Sequence, residues 1–477
     1  MKVLQGLKPE NVFRFFEEIS AVPRGSGHTA QIKEYCVSFA KERNLKYVSD
    51  ETENIIIYKN GSAGRENEKP VIIQGHTDMV WEKDETCRID FETDGLELAV
   101  DGDFVYAKGT TLGGDDGIAV AMCLALLDSD EYSHPPLEIV LTSDEEIGMF
   151  GAMALDTSVL SSKRMLNLDS EAEGTLWVSC AGGARADVAL SVKYEISFKK
   201  AYRITVSGLH GGHSGAEIHN GYANANKTMG RLLKELRNNA DFRIADIFGG
   251  TADNAITRDC CCVVTSDKEN IIDLINDIGG AICGEIKSTD PDAVISACVC
   301  ESVAESFDAE STAELIALIN DLPNGVIAMS KEIDGLVETS LNLGVLKHAD
   351  GIVKFGFSVR SSKDNERIKL CERLKSVADN HSCSVDFNSE YPAWEYKKDS
   401  ELRDIMAKVY FEMFGKEMTV TAIHAGLECG LFCGKIEGLD CVSFGPDMFD
   451  IHTPCERLSI SSTERVWNYL LKVLENI

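Results

Sequence analysis

The stretch Leu137–Gly148, LEIVLTSDEEIG, decides how this chain is read. Its first seven residues, LEIVLTS, are largely apolar and make a short buried strand. The strand runs into three consecutive acids, Asp144, Glu145 and Glu146. Three like charges at a solvated turn are unremarkable. At the edge of a buried sheet they repel unless a cation lies among them. The rest of the chain repeats the pattern. VIIQG (71–75) runs into His76-Thr77-Asp78, and RMLNL (164–168) into Asp169-Ser170-Glu171. CVSFG (441–445) runs into PDMFDIHTPCE, which carries His452. The Gly-rich loop GTTLGGDDG (109–117) carries Asp115 and Asp116 ahead of a buried helix, GIAVAMCLALLDS (117–129). Apolar strands alternating with helices predict an α/β layered domain with a largely parallel sheet. In such a sheet, ligands gather at the carboxyl ends of the strands.

Further helices are expected over 9–22 and 28–43, and a strand over 54–59. Near residue 185 the character changes. ADVALSVKYEISFKKAYRITVSGL alternates, as antiparallel strands with one wet face do. Helical stretches at 221–240, 268–284 and 309–322 and strands such as CCCVVTS and IVKFGFSVRSS follow without tight βαβ spacing, which predicts an α+β domain. From about 398 the chain returns to a helix, a short strand and a helix over 461–475. The organisation read from this is one domain over 1–186 and 396–477, with 187–395 inserted into it.

Composition narrows the function. The chain has 477 residues, more than one ordinary core holds, and a net charge of −31. That charge repels phosphate backbones and anionic membranes, so neither nucleic acid nor membrane is expected as a partner. No signal-peptide core and no apolar run of transmembrane length occurs, which points to a cytoplasmic protein. Its 16 cysteines are scattered, several in apolar runs, and read as reduced buried thiols.

Each acidic loop alone is weak evidence, since an Asp after a strand is usually a turn or a helix cap. Together, two His and three or more carboxylates on one sheet edge form a nitrogen and oxygen donor set suited to zinc, manganese or cobalt. The number of donors suggests two ions sharing one carboxylate. The Gly-rich loop is the natural seat for that carboxylate, Asp115, because glycines allow close backbone approach.

The segments GHTDMVWEK, GTTLGGDDGIAVA, LTSDEEIGMFGA, LNLDSE, GLHGGHSGAEI, PNGVIAMSKEIDGLVETSLNLG, AIHAGLECGLF and SFGPDMFDIHTPCERLSI resemble the aminoacyl-histidine dipeptidases. These are Xaa-His dipeptidases, cytosolic di-zinc metallopeptidases related to glutamate carboxypeptidase and aminoacylase. The likeness spans the chain in order. It implies that His76 and Asp169 bind one zinc, Glu146 and His452 the other, and that Asp115 bridges. Asp78 then orients the His76 imidazole, and Glu145 is the general base for a water activated between the ions. Asp144 supports the turn. The inserted domain is implied to be a lid that also dimerises the protein. Its His213, in GGHSG, stabilises the oxyanion, while Asn254, Arg360 and Gly426 contact the substrate, Arg360 through its carboxylate. Two departures from the family pattern stand out. Asp116 follows the bridging residue where Asn is frequent, which leaves Asp116 as a rival bridge, and NAITRD replaces NAIPRE. His210, His219 and His424 lie near these motifs without an assigned role.

The function implied is hydrolysis of Xaa-His and other short dipeptides, β-alanyl-histidine included. A related tripeptidase, carboxypeptidase or N-deacylase shares the same hydrolytic centre and is the nearest alternative. A metal-stabilised binding protein without activity is the remote one, because Glu145 and every ligand position are filled.

Overall fold

The computed structural model describes residues 2–197 and 199–477. Phe198, inside the alternating run, lies outside the described residues. The chain packs as two units, each with its own hydrophobic core. The first comprises Met1–Ser179, Tyr396–Ala422 and Leu427–Ile477, and the second Cys180–Glu395 with Ile423–Gly426.

The first unit is built on an eight-stranded sheet. At its centre are strands β1 (Val71–His76), β2 (Leu137–Thr142), β3 (Arg164–Asn167) and β4 (Asp440–Ser443). They lie side by side in the order β2-β1-β3-β4, every neighbouring pair parallel. The apolar runs that mark them in the sequence are buried on both faces, as parallel strands require. Antiparallel strands flank this centre, Ile55–Lys59 pairing with β2 and Thr175–Cys180 with β4. The helix Gly114–Asp128 is buried from Gly114 to Leu127, so its sequence is apolar all round rather than striped.

A second, four-stranded antiparallel sheet went unread in the sequence because its strands are two to four residues long. It includes the hairpin of Met448–Phe449 with Arg457–Ser459. His452 sits in that hairpin's loop, with φ of 62°, rather than directly at the end of β4. The other expected helices form within a few residues of the expected ends, for example Glu10–Ser20, Ala30–Glu42 and Ile460–Asn476.

The second unit is a nine-stranded sheet, its described pairs all antiparallel, with helices Ala225–Arg237, Ile271–Ile286, Ala309–Asp321 and Asp364–Asn380. The last of these was missed in the sequence. Its buried face is only Arg367, Leu370, Leu374 and Ala378, too narrow a stripe to announce a helix. No disulfide forms among the described cysteines. Among the described residues no helix is long and apolar enough to cross a membrane.

Candidate metal centre

Strand register gathers the acidic loops. His76 lies opposite Thr142, so β1 and β2 end level, and Gln74 lies opposite Asn167, so β3 ends two residues earlier along the same edge. Thr77 N–H donates to Thr142 O at 2.8 Å and Leu168 N–H to Gln74 O at 3.0 Å, which carries the alignment into the loops. Asp78, the triplet 144–146 and Asp169 therefore emerge together at the carboxyl edge.

Asp115 occupies the middle of the group. His76 Nε2 lies 3.0 Å from its Oδ1, and His452 Nε2 lies 3.2 Å from its Oδ2. Around the first oxygen, His76 Nε2 is also 3.7 Å from Asp169 Oδ1. Around the second, His452 Nε2 is 3.0 Å from Glu146 Oε1. Donor atoms on a tetrahedral zinc, with bonds of about 2.0–2.1 Å, stand roughly 3.3–3.4 Å apart. The four imidazole–carboxylate distances, 3.0, 3.7, 3.2 and 3.0 Å, bracket that spacing. Three overlapping sets of donor atoms lie within 4.8 Å of one another: His76, Asp116 and Asp169; His76, Asp115 and Glu146; and Asp115, Asp169 and Glu171.

The electrostatics show the same demand for positive charge. Asp115 is 7% and Asp169 8% exposed. Burial pushes Asp169 and Glu145 well above the ordinary carboxylate range, and neighbouring acids add to the shift against the pull of His76. Burial works against charge on His76, yet Asp115, Asp78 and Asp169 raise it well above its usual value. The hydrogen bond to Asp115 and the nearby Glu146 carboxylate push His452 up to about 10. Imidazolium protons thus supply the charge that divalent cations would supply. Glu146 Oε1, despite its nearness to His452, makes no aligned hydrogen bond, and Asp116 Oδ1 has no partner among the described residues.

Other loops hold these groups in place. Asp78 is fully buried. Its Oδ1 accepts from Glu145 N–H at 3.0 Å and stands 3.4 Å from His76 Nδ1. Its Oδ2 accepts from Glu146 N–H at 3.3 Å and Ser26 Oγ–H at 2.8 Å. Asp144 takes the left-handed conformation, φ 52°, and accepts from Gly27 N–H at 2.6 Å, away from the donor trios. Asp116 Oδ2 accepts from the His76 N–H at 3.2 Å, and a carboxylate oxygen of Asp116 lies within 4.8 Å of donor atoms of His76 and Asp169.

Sequence reasoning passed over four groups here: Arg24, Glu171, Glu428 and Glu456. Glu428 is fully buried and accepts from Gln74 Nε2–H at 2.5 Å and Thr142 Oγ1–H at 2.8 Å. Burial pushes it up to about 7, while His76 and these donors oppose the shift. Glu171 stands two residues after Asp169, and Glu456 four after His452, and that spacing was the only available signal.

The remaining site candidates lie in the second unit. His213 Nδ1 accepts from Gly215 N–H at 3.3 Å and Ala216 N–H at 3.0 Å, which leaves its proton on Nε2 as a free donor. Burial, then Arg360, holds His213 below its usual pKa, so the ring is neutral. Asn254 is exposed, and its backbone oxygen accepts from Ser214 N–H at 2.8 Å. Arg360 is 9% exposed. Its Nη1–H donates to Tyr391 Oη at 3.2 Å, while its Nε has no partner among the described residues. A side chain at Gly426 would meet the Tyr391 ring at 2.9 Å, so glycine there permits close packing on that ring. His424 Nε2 lies 2.7 Å from Ser340 Oγ, and Ser340 faces Arg360 across two strands.

The profile of the family described as "Peptidase family M20/M25/M40" matches residues 72–476. The cytosol non-specific dipeptidase of Escherichia coli K12 is 36% identical over 485 residues, covering 100% of this chain and 99% of that protein. The crystal structure of aminoacylhistidine dipeptidase from Vibrio alginolyticus superposes with a TM-score of 0.92 at 36% identity, covering 99% of this chain and 98% of that one. Aminopeptidase PepT from Bacillus cereus, with a TM-score of 0.58 at 13% identity over 98% of each chain, shares the fold.

Proposed function

The chain belongs to peptidase family M20/M25/M40, and from that premise we propose that it is a metal-dependent dipeptidase hydrolysing Xaa-His and other short dipeptides, β-alanyl-histidine among them. Two relatives 36% identical over nearly their full length bear dipeptidase names, which supports the class of substrate. The observation that carries the reading is Asp115, with one imidazole Nε2 on each carboxylate oxygen.

His76, Asp169 and Asp115 would hold one divalent ion, and His452, Glu146 and Asp115 the other. When bound, such ions, zinc in our reading, acidify a water and polarise a peptide carbonyl. Asp78 fixes the His76 ring and, through the two amides it holds, the placement of Glu145 and Glu146. Glu145 takes the proton of the attacking water on its carboxylate and delivers it to the departing amine nitrogen, one group serving as base and then acid. In the second unit, the His213 Nε2–H suits an oxygen that becomes negative as the carbonyl is attacked. Arg360, charged and with an unused Nε–H, suits the free carboxylate of a dipeptide. Asn254 and Gly426 belong to the same proposal as substrate contacts. So do a cytoplasmic location, consistent with the cytosolic name of the Escherichia coli relative, and a homodimer formed through the second unit, which sedimentation would check.

The test is a panel of dipeptides, tripeptides, N-acyl amino acids and longer peptides, assayed after chelation and after addition of zinc, manganese or cobalt. Metal-restored cleavage confined to dipeptides, Xaa-His included, is expected. Preference for tripeptides or N-acyl substrates would replace the reading with one of its relatives.

A further inference from the structure

Asp115 can face both histidines only if its loop is held against each of their loops. That loop, Leu112-Gly113-Gly114-Asp115, is rich in glycine and would be mobile by itself. Two buried charged side chains from distant parts of the first unit grip it. Glu456, 2% exposed, accepts on Oε2 from Leu112 N–H at 2.8 Å and Gly113 N–H at 3.0 Å. Its Oε1 accepts from Gly114 N–H at 2.7 Å and Asp115 N–H at 3.4 Å. Arg24, 1% exposed, donates from Nη1 to Thr77 O and Asp78 O, each at 3.2 Å, and from Nη2 to Gly113 O. Gly113 is in the left-handed region, φ 63°, and a side chain there or at Gly117 would collide with Arg24.

The two grips join different partners. Glu456 follows His452 in the same hairpin loop, so its four amide contacts fix the His452 loop to the Asp115 loop. Arg24 links the carbonyls just after His76 to the carbonyl of Gly113, so it fixes the His76 loop to the Asp115 loop. We propose that Glu456 and Arg24 are positioning residues with divided duties: Glu456 sets the ion site of His452, Asp115 and Glu146, and Arg24 sets the ion site of His76, Asp115 and Asp169. This rests on the two-ion reading above. Neither side chain touches substrate. Each acts through backbone groups that aim the donors, and such outer contacts typically govern metal affinity by 10–100-fold.

The test is stepwise titration of the metal-free protein with cobalt(II), followed by visible absorption, beside His452→Ala and His76→Ala as one-site references. The natural protein should bind two equivalents. Glu456→Gln keeps the volume and one acceptor oxygen. It should bind one equivalent with the spectrum of His452→Ala and a second 10–100-fold more weakly. Arg24→Lys should do the converse, with the spectrum of His76→Ala. Leu458→Ala, a core deletion in the strand beside Glu456, should lower the melting temperature without separating the two steps. Equal weakening of both steps in Glu456→Gln or Arg24→Lys, or the same separation in Leu458→Ala, would overturn the division of duties. Failure of the natural protein to bind two equivalents would overturn the two-ion reading together with it.

Discussion

Two pairs of histidines, one in each unit, are the same side chain under opposite fields. His76 and His452 in the first unit are pushed above their usual pKa. His213 and His424 in the second are pushed below it, His424 to about 3. Burial lowers all four, so burial does not separate the pairs. The neighbours do. The first pair stands among Asp115, Asp169, Glu146 and Asp78, and the second beside Arg360. The first unit gathers buried carboxylates around its two imidazoles, a donor set that divalent cations would suit. The second presents neutral imidazoles and a guanidinium, donors suited to an anion. A hydrolase for a zwitterionic dipeptide needs both.

The largest way to break this contrast is to remove the cations. Chelation should abolish turnover, and adding zinc, manganese or cobalt should restore it. It should also lower the melting temperature, since an ion bound only by the folded state stabilises it by mass action. Activity and melting both indifferent to chelator would remove the reason for the first pair's field. Next in size, Glu145→Gln should keep its full metal content, measured by elemental analysis, and lose turnover by roughly 10²–10⁴-fold, the range of general acid–base catalysis. A variant within tenfold of the natural enzyme would take proton transfer away from Glu145.

Arg360→Ala sharpens the other half. Hydrogen bonds to a charged group contribute about 1.5–3 kcal/mol, so KM for free-acid dipeptides should rise roughly 10–100-fold. C-terminally amidated dipeptides should change little, and equal losses on both would deny Arg360 the carboxylate. The smallest effect is on stability. Burial, then Arg360, keeps folded His424 neutral down to about pH 3, against 6.5 in the unfolded chain. Unfolding therefore takes up a proton as pH falls below 6.5. The contribution is present above 6.5 and shrinks toward pH 3, by up to about 1.4 kcal/mol per pH unit. Denaturant midpoints from pH 6.5 to 4.5 should fall more steeply in the natural protein than in His424→Gln. Parallel slopes would mean His424 charges freely in the fold.

What the sequence disclosed follows from how each contact is made. The strands β1, β2 and β3 announce themselves because both faces are buried, and a run such as VIIQGH suits a strand covered on both sides. Their acidic ends follow at once, and register brings His76, Asp169 and the 144–146 triplet to one edge. Asp115 was marked by its glycines. Glu456 was marked only by its place four residues after His452, and Arg24 not at all, because they bind backbone carbonyls and amides up to 344 residues away, and backbone groups leave no pattern in side chains. The helix Asp364–Asn380 stayed hidden for a related reason, since it buries only a narrow line of residues.

The central claim is that one carboxylate serves two cations. Crystals soaked in zinc and measured at the zinc absorption edge test it most directly. The account predicts two anomalous peaks about 3.5–4 Å apart, both against Asp115, one with His76 and Asp169 and the other with His452 and Glu146. A single peak, or a pair bridged by Asp116 instead, would contradict it.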